Sequence, residues 1–320
     1  METIVIRIRG RPGRVPERKT SVRTAFNRRL VVLFLAGCTA LAGCGTGGPG
    51  HLGSPMVVAS TDAWGSVARA VAGNHIPVRS ILAGADIDPH SYQASPSEAA
   101  AIIDASLVVY NGGGYDPWVD DVLAGHRAVN SVNAFSFAQS GANEHVFYDP
   151  NVAKSVADTV AEKLAAIDPR HTADYRANAA EFRRGADAIN DSEHAIAKAY
   201  PGAGVIATEP VAHYLLARSG LVDRTPPAFA AANENETDPA PADMAAVLNL
   251  IEHRQVAALV VNPQTSTAAI TGLQDAARRA GVPVTEATET LPDGIDYLTW
   301  QRRTVSRLLA ALRSNQPAGL

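Results

Sequence analysis

Short apolar runs rich in β-branched residues alternate with alanine-rich stretches along most of the chain. In the first half, the apolar runs predict strands at Met56–Ser60, Val78–Leu82, Leu107–Tyr110 and Ala128–Val132. The stretches between them predict helices at Ala63–Ala72, Pro96–Ala105 and Pro117–Ala124. Such alternation of strands and helices is typical of a parallel sheet that helices cover on both faces.

The middle of the chain lacks this alternation. Asn151–Ile167 and Thr172–Ala199 are predicted as two nearly continuous helices, and an Asp-Pro pair of the kind that starts helices precedes each of them. At ~1.5 Å per residue the second helix would be roughly 40 Å long. It is therefore long enough to run the height of two small domains.

The alternation then resumes. Strands are predicted at Gly204–Thr208, Ala228–Ala231, Ala257–Asn262 and Val282–Thr285. Helices are predicted at Val211–Ser219, Ala240–His253, Thr267–Ala280 and Tyr297–Arg313. The expected fold is of the α/β class: two lobes, each a mostly parallel sheet flanked by helices, joined by one long rigid helix. The predicted divisions are residues 56–166 for the first lobe, 167–200 for the connecting helix and 201–320 for the second lobe.

The segment before the first lobe resembles a secretion signal. A basic stretch leads into the apolar run Leu30–Ala42, whose 13 residues fall short of the ~20 that a spanning helix needs. The run ends in Leu41-Ala42-Gly43-Cys44, which resembles a bacterial lipobox. Cys44 is therefore the predicted lipidation site, residues 1–44 the signal peptide and 45–55 a flexible tether. The body would then be anchored to the outer face of the cytoplasmic membrane.

Charge separates this leader from the rest of the chain. The formal net charge is −4, but the first 29 residues hold nine Lys or Arg against two Glu, so the remainder carries −11. An acidic body without a basic patch argues against a nucleic-acid partner and is compatible with a cationic ligand. Both cysteines lie in the leader, so a processed chain offers no thiolate to a metal.

Three segments carry the chemistry. Asp88-Pro89-His90-Ser91-Tyr92 follows a predicted strand, at the end where α/β sheets bind ligands. The other two are Asn111-Gly112-Gly113-Gly114-Tyr115-Asp116-Pro117-Trp118 and His145-Val146-Phe147-Tyr148-Asp149-Pro150. Taken singly, each histidine is compatible with an ordinary loop residue. Together and in this order, from about Val57 to Leu312, the segments resemble the zinc/manganese (cluster A-I) binding lipoproteins of bacterial metal ABC importers.

The resemblance implies a metal site between the lobes with four ligands from four loops. The motif positions carry over to His90 and His145 in the first half and to Glu209 in Thr208-Glu209-Pro210. The fourth position is an Asp in the family, and this chain departs from the pattern because the matching loop offers Glu289, whose side chain is one methylene longer.

Alternatives to the two carboxylates remain open. His213 lies four residues after Glu209 and would share its face if both were helical, so it could replace or assist Glu209. Asp293 and Asp296 are alternatives to Glu289, although Asp296 stands just before a predicted helix and is also a good N-cap.

Two imidazoles and two carboxylates suit Zn²⁺ as a tetrahedron and Mn²⁺ as a site that can expand its coordination. The resemblance implies a monomeric, non-enzymatic protein that captures one such ion and delivers it to an ABC permease and its ATPase. A secreted metal chaperone, an adhesin on the same scaffold, or a metal-dependent hydrolase are the alternatives.

Overall fold

The computed structural model describes residues 54–84, 92–139, 142–235 and 237–315. The predicted signal peptide with Cys44, most of the tether, and the predicted ligand His90 lie outside these ranges. Within them, no helix has the combination of length and apolar character that crossing a membrane would require.

The first sheet contains four parallel strands in the order β2-β1-β3-β4. Its strands are β1 Val57–Thr61, β2 Val78–Leu82, β3 Leu107–Tyr110 and β4 Ser131–Asn133. The connecting helices are α1 Asp62–Ala72, α2 Pro96–Ile103 and α3 Pro117–Ala124. Alternate residues of β1 and β3 enter different apolar clusters, Val57 and Ala59 in one and Val58 in the other, because successive side chains of a strand point to opposite faces.

Two long helices follow the first sheet and pack against each other: α4 Pro150–Ile167 and α5 Thr172–Ala199. The Asp149 carboxylate caps the start of α4 by accepting a hydrogen bond from the Asn151 N–H at 2.9 Å. Helix α5 packs through one apolar face, since Tyr175, Phe182 and Ile189 are all buried.

The second sheet repeats the topology of the first, with four parallel strands in the order β6-β5-β7-β8. Its strands are β5 Gly204–Ala207, β6 Val222–Asp223, β7 Ala258–Val261 and β8 Val284–Glu286. Its helices are α6 His213–Arg218, α7 Pro227–Glu234, α8 Pro241–Glu252, α9 Ala268–Ala280 and α10 Tyr297–Ser314. The predicted α/β fold with two parallel sheets and one long helix is confirmed.

One predicted strand is wrong. Ala228–Ala231 lies inside helix α7, and the edge position of the second sheet is held by the short, exposed strand β6. Alanine is the strongest helix former, and Pro227 fits the first turn of a helix. A single buried aromatic residue, Phe229, anchors this helix, so its sequence shows little of the apolar periodicity that separates a helix from a strand.

The two sheets are joined through a shared core. One apolar cluster includes Trp64 from α1, Val160 from α4, Ile189 from α5, Val205 from β5 and Leu308 from α10. Helix α10 adds polar links: the Tyr297 hydroxyl donates to the Phe147 carbonyl at 2.7 Å, and the Tyr297 N–H donates to the Ser66 hydroxyl at 2.8 Å. Packed helices, and not a flexible linker, therefore connect the two sheets.

Asp62 forms a direct bridge between the two sheets. This buried carboxylate at the start of α1 accepts from the Gly84 N–H after β2 and from the Leu291 N–H after β8, each at 3.1 Å. Burial raises the pKa of the Asp62 carboxyl, although the backbone N–H groups of Gly84 and Leu291 oppose the shift. The loops that follow β2 and β8 are thus held together by one side chain.

Replacing Asp62 by Ala should destabilise the protein. The substitution leaves two N–H groups without their acceptor, and we expect a loss of about 2–4 kcal/mol in the free energy of unfolding. Asp121→Ala, at an exposed position of α3, is the control and should cost less than about 0.5 kcal/mol. Chemical denaturation of the three proteins measures the difference, and equal stabilities would contradict the bridging role.

Candidate metal centre

Glu209 lies just beyond the carboxyl end of β5. Its backbone is extended (φ −145°, ψ 158°), and Pro210 then opens a 3₁₀ turn, Pro210–Ala212, which leads into α6. The side chain is 7% exposed. In parallel sheets this end of the strands is where ligands bind. A buried carboxylate at this point is costly unless it is paired or coordinates a metal.

Glu289 occupies the equivalent loop after β8. Its side chain is 3% exposed. Gln264 fixes the loop from the neighbouring strand end: its Oε1 accepts from the Glu289 N–H at 2.6 Å, and its Nε2 donates to the Thr290 hydroxyl at 2.8 Å. The backbone that carries Glu289 is therefore held by a side chain of the same lobe.

One amide group binds both carboxylates. Asn262 Nδ2 donates to Glu209 Oε2 at 2.8 Å and to Glu289 Oε1 at 2.9 Å. The orientation of the amide is fixed because Asn262 Oδ1 accepts from the Gln264 N–H at 3.0 Å. The other oxygen of Glu209 accepts from the Thr265 hydroxyl. The structure thus brings the predicted ligands Glu209 and Glu289 together through Asn262, a residue that the prediction did not include.

His145 is fully buried on the side of the first sheet. Asn143 Oδ1 lies 2.9 Å from both the backbone nitrogen and Nδ1 of His145. Because an atom that accepts from a backbone N–H must be the amide oxygen, Nδ1 carries the ring proton. In the neutral imidazole the lone pair then lies on Nε2, the nitrogen through which the ring would bind a metal.

The glycine-containing segment, residues 111–118, supports the backbone just before His145. Asn111 Nδ2 donates to the Glu144 carbonyl at 2.8 Å, and the Asp116 carboxylate accepts from the N–H groups of Asn111 and Gly112 at 2.8 and 2.7 Å. Gly112 has a φ of +73°, and a Cβ there would meet Asn133. Burial raises the pKa of Asp116 to about 6, with hydrogen bonds from Ser60, Asn111 and Gly112 opposing the shift.

The loops of the two halves meet at this site. The Tyr148 hydroxyl, three residues after His145, donates to the Thr288 carbonyl at 2.8 Å, next to Glu289. The Thr290 hydroxyl donates to the Gly84 carbonyl at 3.0 Å. Gly84 leads directly into residues 85–91, which include His90. The residues on either side of Glu289 are therefore tied to Tyr148, three residues after His145, and to Gly84, just after β2.

The alternative ligands occupy different positions. His213 is exposed and begins α6, while Glu209 precedes the helical turn with extended backbone. The shared helical face that would have brought them together is therefore not formed. Asp296 accepts from the Thr299 N–H at 2.9 Å as the N-cap of α10, which confirms its predicted capping role. Asp293 is exposed.

A carboxylate that was not among the predicted site residues lies close to His145. Among the residues that the structure describes, Glu144, His145 and Glu234 form a group whose potential ligand atoms all lie within 4.8 Å of one another. Glu234 ends helix α7, the segment wrongly predicted as a strand, and this error concealed it. Asn262 could have been noticed, since it follows β7 at the same sheet edge as Glu209.

The donors suit a divalent transition metal. His145 supplies an imidazole nitrogen, and Glu209 and Glu289 supply oxygens held about a common amide. Two buried carboxylates that share one amide repel each other, and a cation offsets that repulsion. Calcium and magnesium prefer all-oxygen shells, so the imidazole favours a transition metal.

Asn262→Ala should weaken metal binding without unfolding the protein. The carboxylates would lose the amide that holds them in place, and supporting residues of this kind are typically worth about 10–100-fold in affinity. Asn249→Ala, at an exposed position of α8, is the control. Isothermal titration with Mn²⁺ and Zn²⁺ measures the effect. Unchanged affinity in Asn262→Ala would show that the carboxylates do not need this amide.

Comparison with known proteins agrees with the geometry. The family model described as "ZnuA: Zinc-uptake complex component A periplasmic" matches residues 57–311. The manganese-binding lipoprotein MntA of Bacillus subtilis (strain 168) is 24% identical over 280 residues, which cover 83% of this chain and 90% of MntA.

Two solved structures share the fold. One is the laminin-binding protein Lmb of Streptococcus agalactiae, described as having adhesin and metal-transporting activity. It matches with a TM-score of 0.69 at 23% identity, and the match covers 81% of this chain and 100% of the Lmb chain. The Zn(II)-bound ZnuA-like domain of Streptococcus pneumoniae AdcA has a TM-score of 0.65 at 19% identity, covering 82% and 100%. With a family model that matches residues 57–311, the chain belongs to the ZnuA family of periplasmic metal-uptake components.

Proposed function

We propose that this chain captures one divalent transition-metal ion, Zn²⁺ or Mn²⁺, between its lobes and delivers it to an ABC permease. The ligands are His90, His145, Glu209 and Glu289. The observation that carries the proposal is the Asn262 amide, which holds Glu209 and Glu289 together at the sheet edge that meets the loop of His145. The first lobe is residues 56–166 and the second residues 201–320, with residues 167–200 connecting them.

The two metals are distinguished by coordination number. Zn²⁺ is satisfied by two nitrogens and two oxygens, whereas Mn²⁺ prefers more oxygen ligands. The relatives are divided in the same way, since MntA is named as manganese-binding and the AdcA domain holds Zn(II). Because Zn²⁺ has the higher intrinsic affinity for sites of this type, the metal found in isolated protein is a weak guide to the metal used in the cell.

Delivery requires the lobes to move enough to open the ligand shell. The shared core and the long helix α5 favour a small rocking movement over a wide hinge. Protons compete with the metal for His90 and His145, so affinity falls as the pH drops through the range where histidine titrates, near ~6.5 for free imidazole.

The protein works outside the cytoplasm, held by lipid on Cys44 to the outer face of the cytoplasmic membrane, as a monomer with a permease and its ATPase as partners. The lipobox-like Leu41-Ala42-Gly43-Cys44 and the name of the lipoprotein MntA support the anchor. The family consists of transport components and not enzymes, and we assign no catalytic role to this chain.

Adhesion is the second candidate function. It is favoured by the structural likeness to Lmb, whose description combines adhesin and metal-transporting activity. Metal capture and adhesion can occur on one scaffold, so the two proposals require separate tests.

His145→Ala and His90→Ala should each lose tight metal binding. Removing one of four ligands costs more than removing a supporting residue, so we expect a loss of about 100-fold or more in affinity. His253→Ala, at an exposed position after α8, is the control, and circular dichroism checks the fold. His213→Ala should also bind normally. High-affinity stoichiometric binding by His145→Ala would refute the proposed site, and loss in His213→Ala would reassign the third ligand.

Deletion of the gene should impair growth under metal chelation and lower cellular Mn or Zn content. The wild-type gene should restore both, whereas the His145→Ala gene should restore neither. Elemental analysis of the three strains measures the result. Normal metal content in the deletion strain would contradict an importer role and favour adhesion or a chaperone role.

A further inference from the structure

Glu234 faces His145 from the opposite lobe. The Glu234 Oε1 atom lies 3.7 Å from His145 Nε2, the ring nitrogen that points away from Asn143. His145 is fully buried, and one fifth of the Glu234 side chain is exposed. His145 belongs to the segment after the first sheet, whereas Glu234 ends α7 of the second lobe. This contact therefore spans the same gap as the proposed metal site.

The separation is close to that of two ligands on one ion. Ligand atoms that each lie about 2.1 Å from a transition metal are about 3.0–3.4 Å apart in tetrahedral or octahedral geometry. A movement of a few tenths of an ångström would bring the Glu234 oxygen and His145 Nε2 to that distance. Lobe closure of the kind proposed above supplies such a movement.

The end of α7 is held firmly in position. Asn233 Nδ2 donates to the Thr208 carbonyl at 2.9 Å, directly before Glu209. Phe229 is fully buried in the core of the second lobe. Beyond the helix, the Thr237 N–H and hydroxyl both donate to the Ala232 carbonyl, at 2.8 and 3.0 Å. Glu234 is therefore held next to Glu209, because the residues that precede each of them, Asn233 and Thr208, are hydrogen-bonded to each other.

We propose that Glu234 is a further metal ligand, contributed by α7, which biases the site towards a metal of higher coordination number and so towards Mn²⁺ over Zn²⁺. This inference rests on the proposed function. The four ligands proposed above would already satisfy the tetrahedral preference of Zn²⁺. A third carboxylate adds little to that tetrahedron, but it supplies the oxygen that an octahedral Mn²⁺ shell needs.

Glu144 is the competing carboxylate, since it belongs to the same group of potential ligands. It is adjacent to His145 in the chain and belongs to the same lobe. Glu234 approaches Nε2 of His145 from the other lobe, so the distance between these two ligand atoms shortens when the lobes close. The two residues are therefore compared directly in the test.

The test is competitive titration of metal-free wild-type, Glu234→Gln and Glu144→Gln proteins with Mn²⁺ and Zn²⁺. Glu234→Gln should lose about tenfold or more in Mn²⁺ affinity and less than about threefold in Zn²⁺ affinity, so that selectivity shifts towards zinc. Glu234→Asp should recover part of the Mn²⁺ affinity. The matched control is Glu252→Gln, because Glu252 is the exposed last residue of helix α8 as Glu234 is the last of α7.

Electron paramagnetic resonance of bound Mn²⁺ provides a second readout that a purely structural role would not change. The zero-field splitting should differ between wild-type and Glu234→Gln and stay the same in Glu252→Gln. The inference would be overturned if Glu234→Gln had the Mn²⁺ affinity, the Zn²⁺ affinity and the spectrum of the wild-type protein. It would also be overturned if Glu144→Gln alone lost Mn²⁺ binding. Failure of wild-type protein to bind either metal would overturn the proposed function itself.

Discussion

The pairing of two buried carboxylates on one amide is the constraint on which the rest of the site depends. Glu209 and Glu289 follow different strands and are separated by eighty residues in the chain, yet the Asn262 amide holds an oxygen of each within 2.9 Å. Two ionised carboxylates that are buried side by side repel each other, and the uncharged amide does not cancel their negative charge. Glu209 and Glu289 therefore form a paired acidic group that is suited to binding a cation.

The first lobe supplies the other half in a different way. His145 is fixed by Asn143 on one ring nitrogen, so the imidazole presents its other nitrogen in a defined orientation. The links between the halves, such as Tyr148 to Thr288 and Asp62 to Leu291, lie beside the ligand loops. A shared apolar core backs them. This arrangement favours small changes at the site over large changes in the shape of the protein.

Much of the fold could be predicted from sequence because buried parallel strands read as short apolar runs, and helix starts carry Pro or an N-cap. Val78–Leu82, Leu107–Tyr110 and Thr172–Ala199 have the predicted bounds. Helix α7 was missed because only Phe229 and Asn233 are buried in it, which leaves too few apolar positions to show a helical period. That error hid Glu234, which reaches the site only because α7 ends there.

The candidate ligands were predicted from motifs, but the residues that support them were not. Asn262 and Gln264 act through side-chain geometry between loops that are distant in the chain, and a linear pattern contains no sign of that geometry. Glu289 illustrates the limit in the other direction. The longer side chain was identified as a departure from the family's Asp, yet only the structure shows that its Oε1 oxygen reaches the amide that also binds Glu209.

The sharing of one cation by residues of both lobes is best tested with a crystal structure of the protein grown with Mn²⁺, with anomalous difference maps collected on both sides of the manganese absorption edge. We expect one strong peak in contact with His145 Nε2 and with carboxylate oxygens of Glu209 and Glu289. A peak bound by one lobe alone, or bound at a site without these three residues, would show that the two lobes do not share the ion at this site.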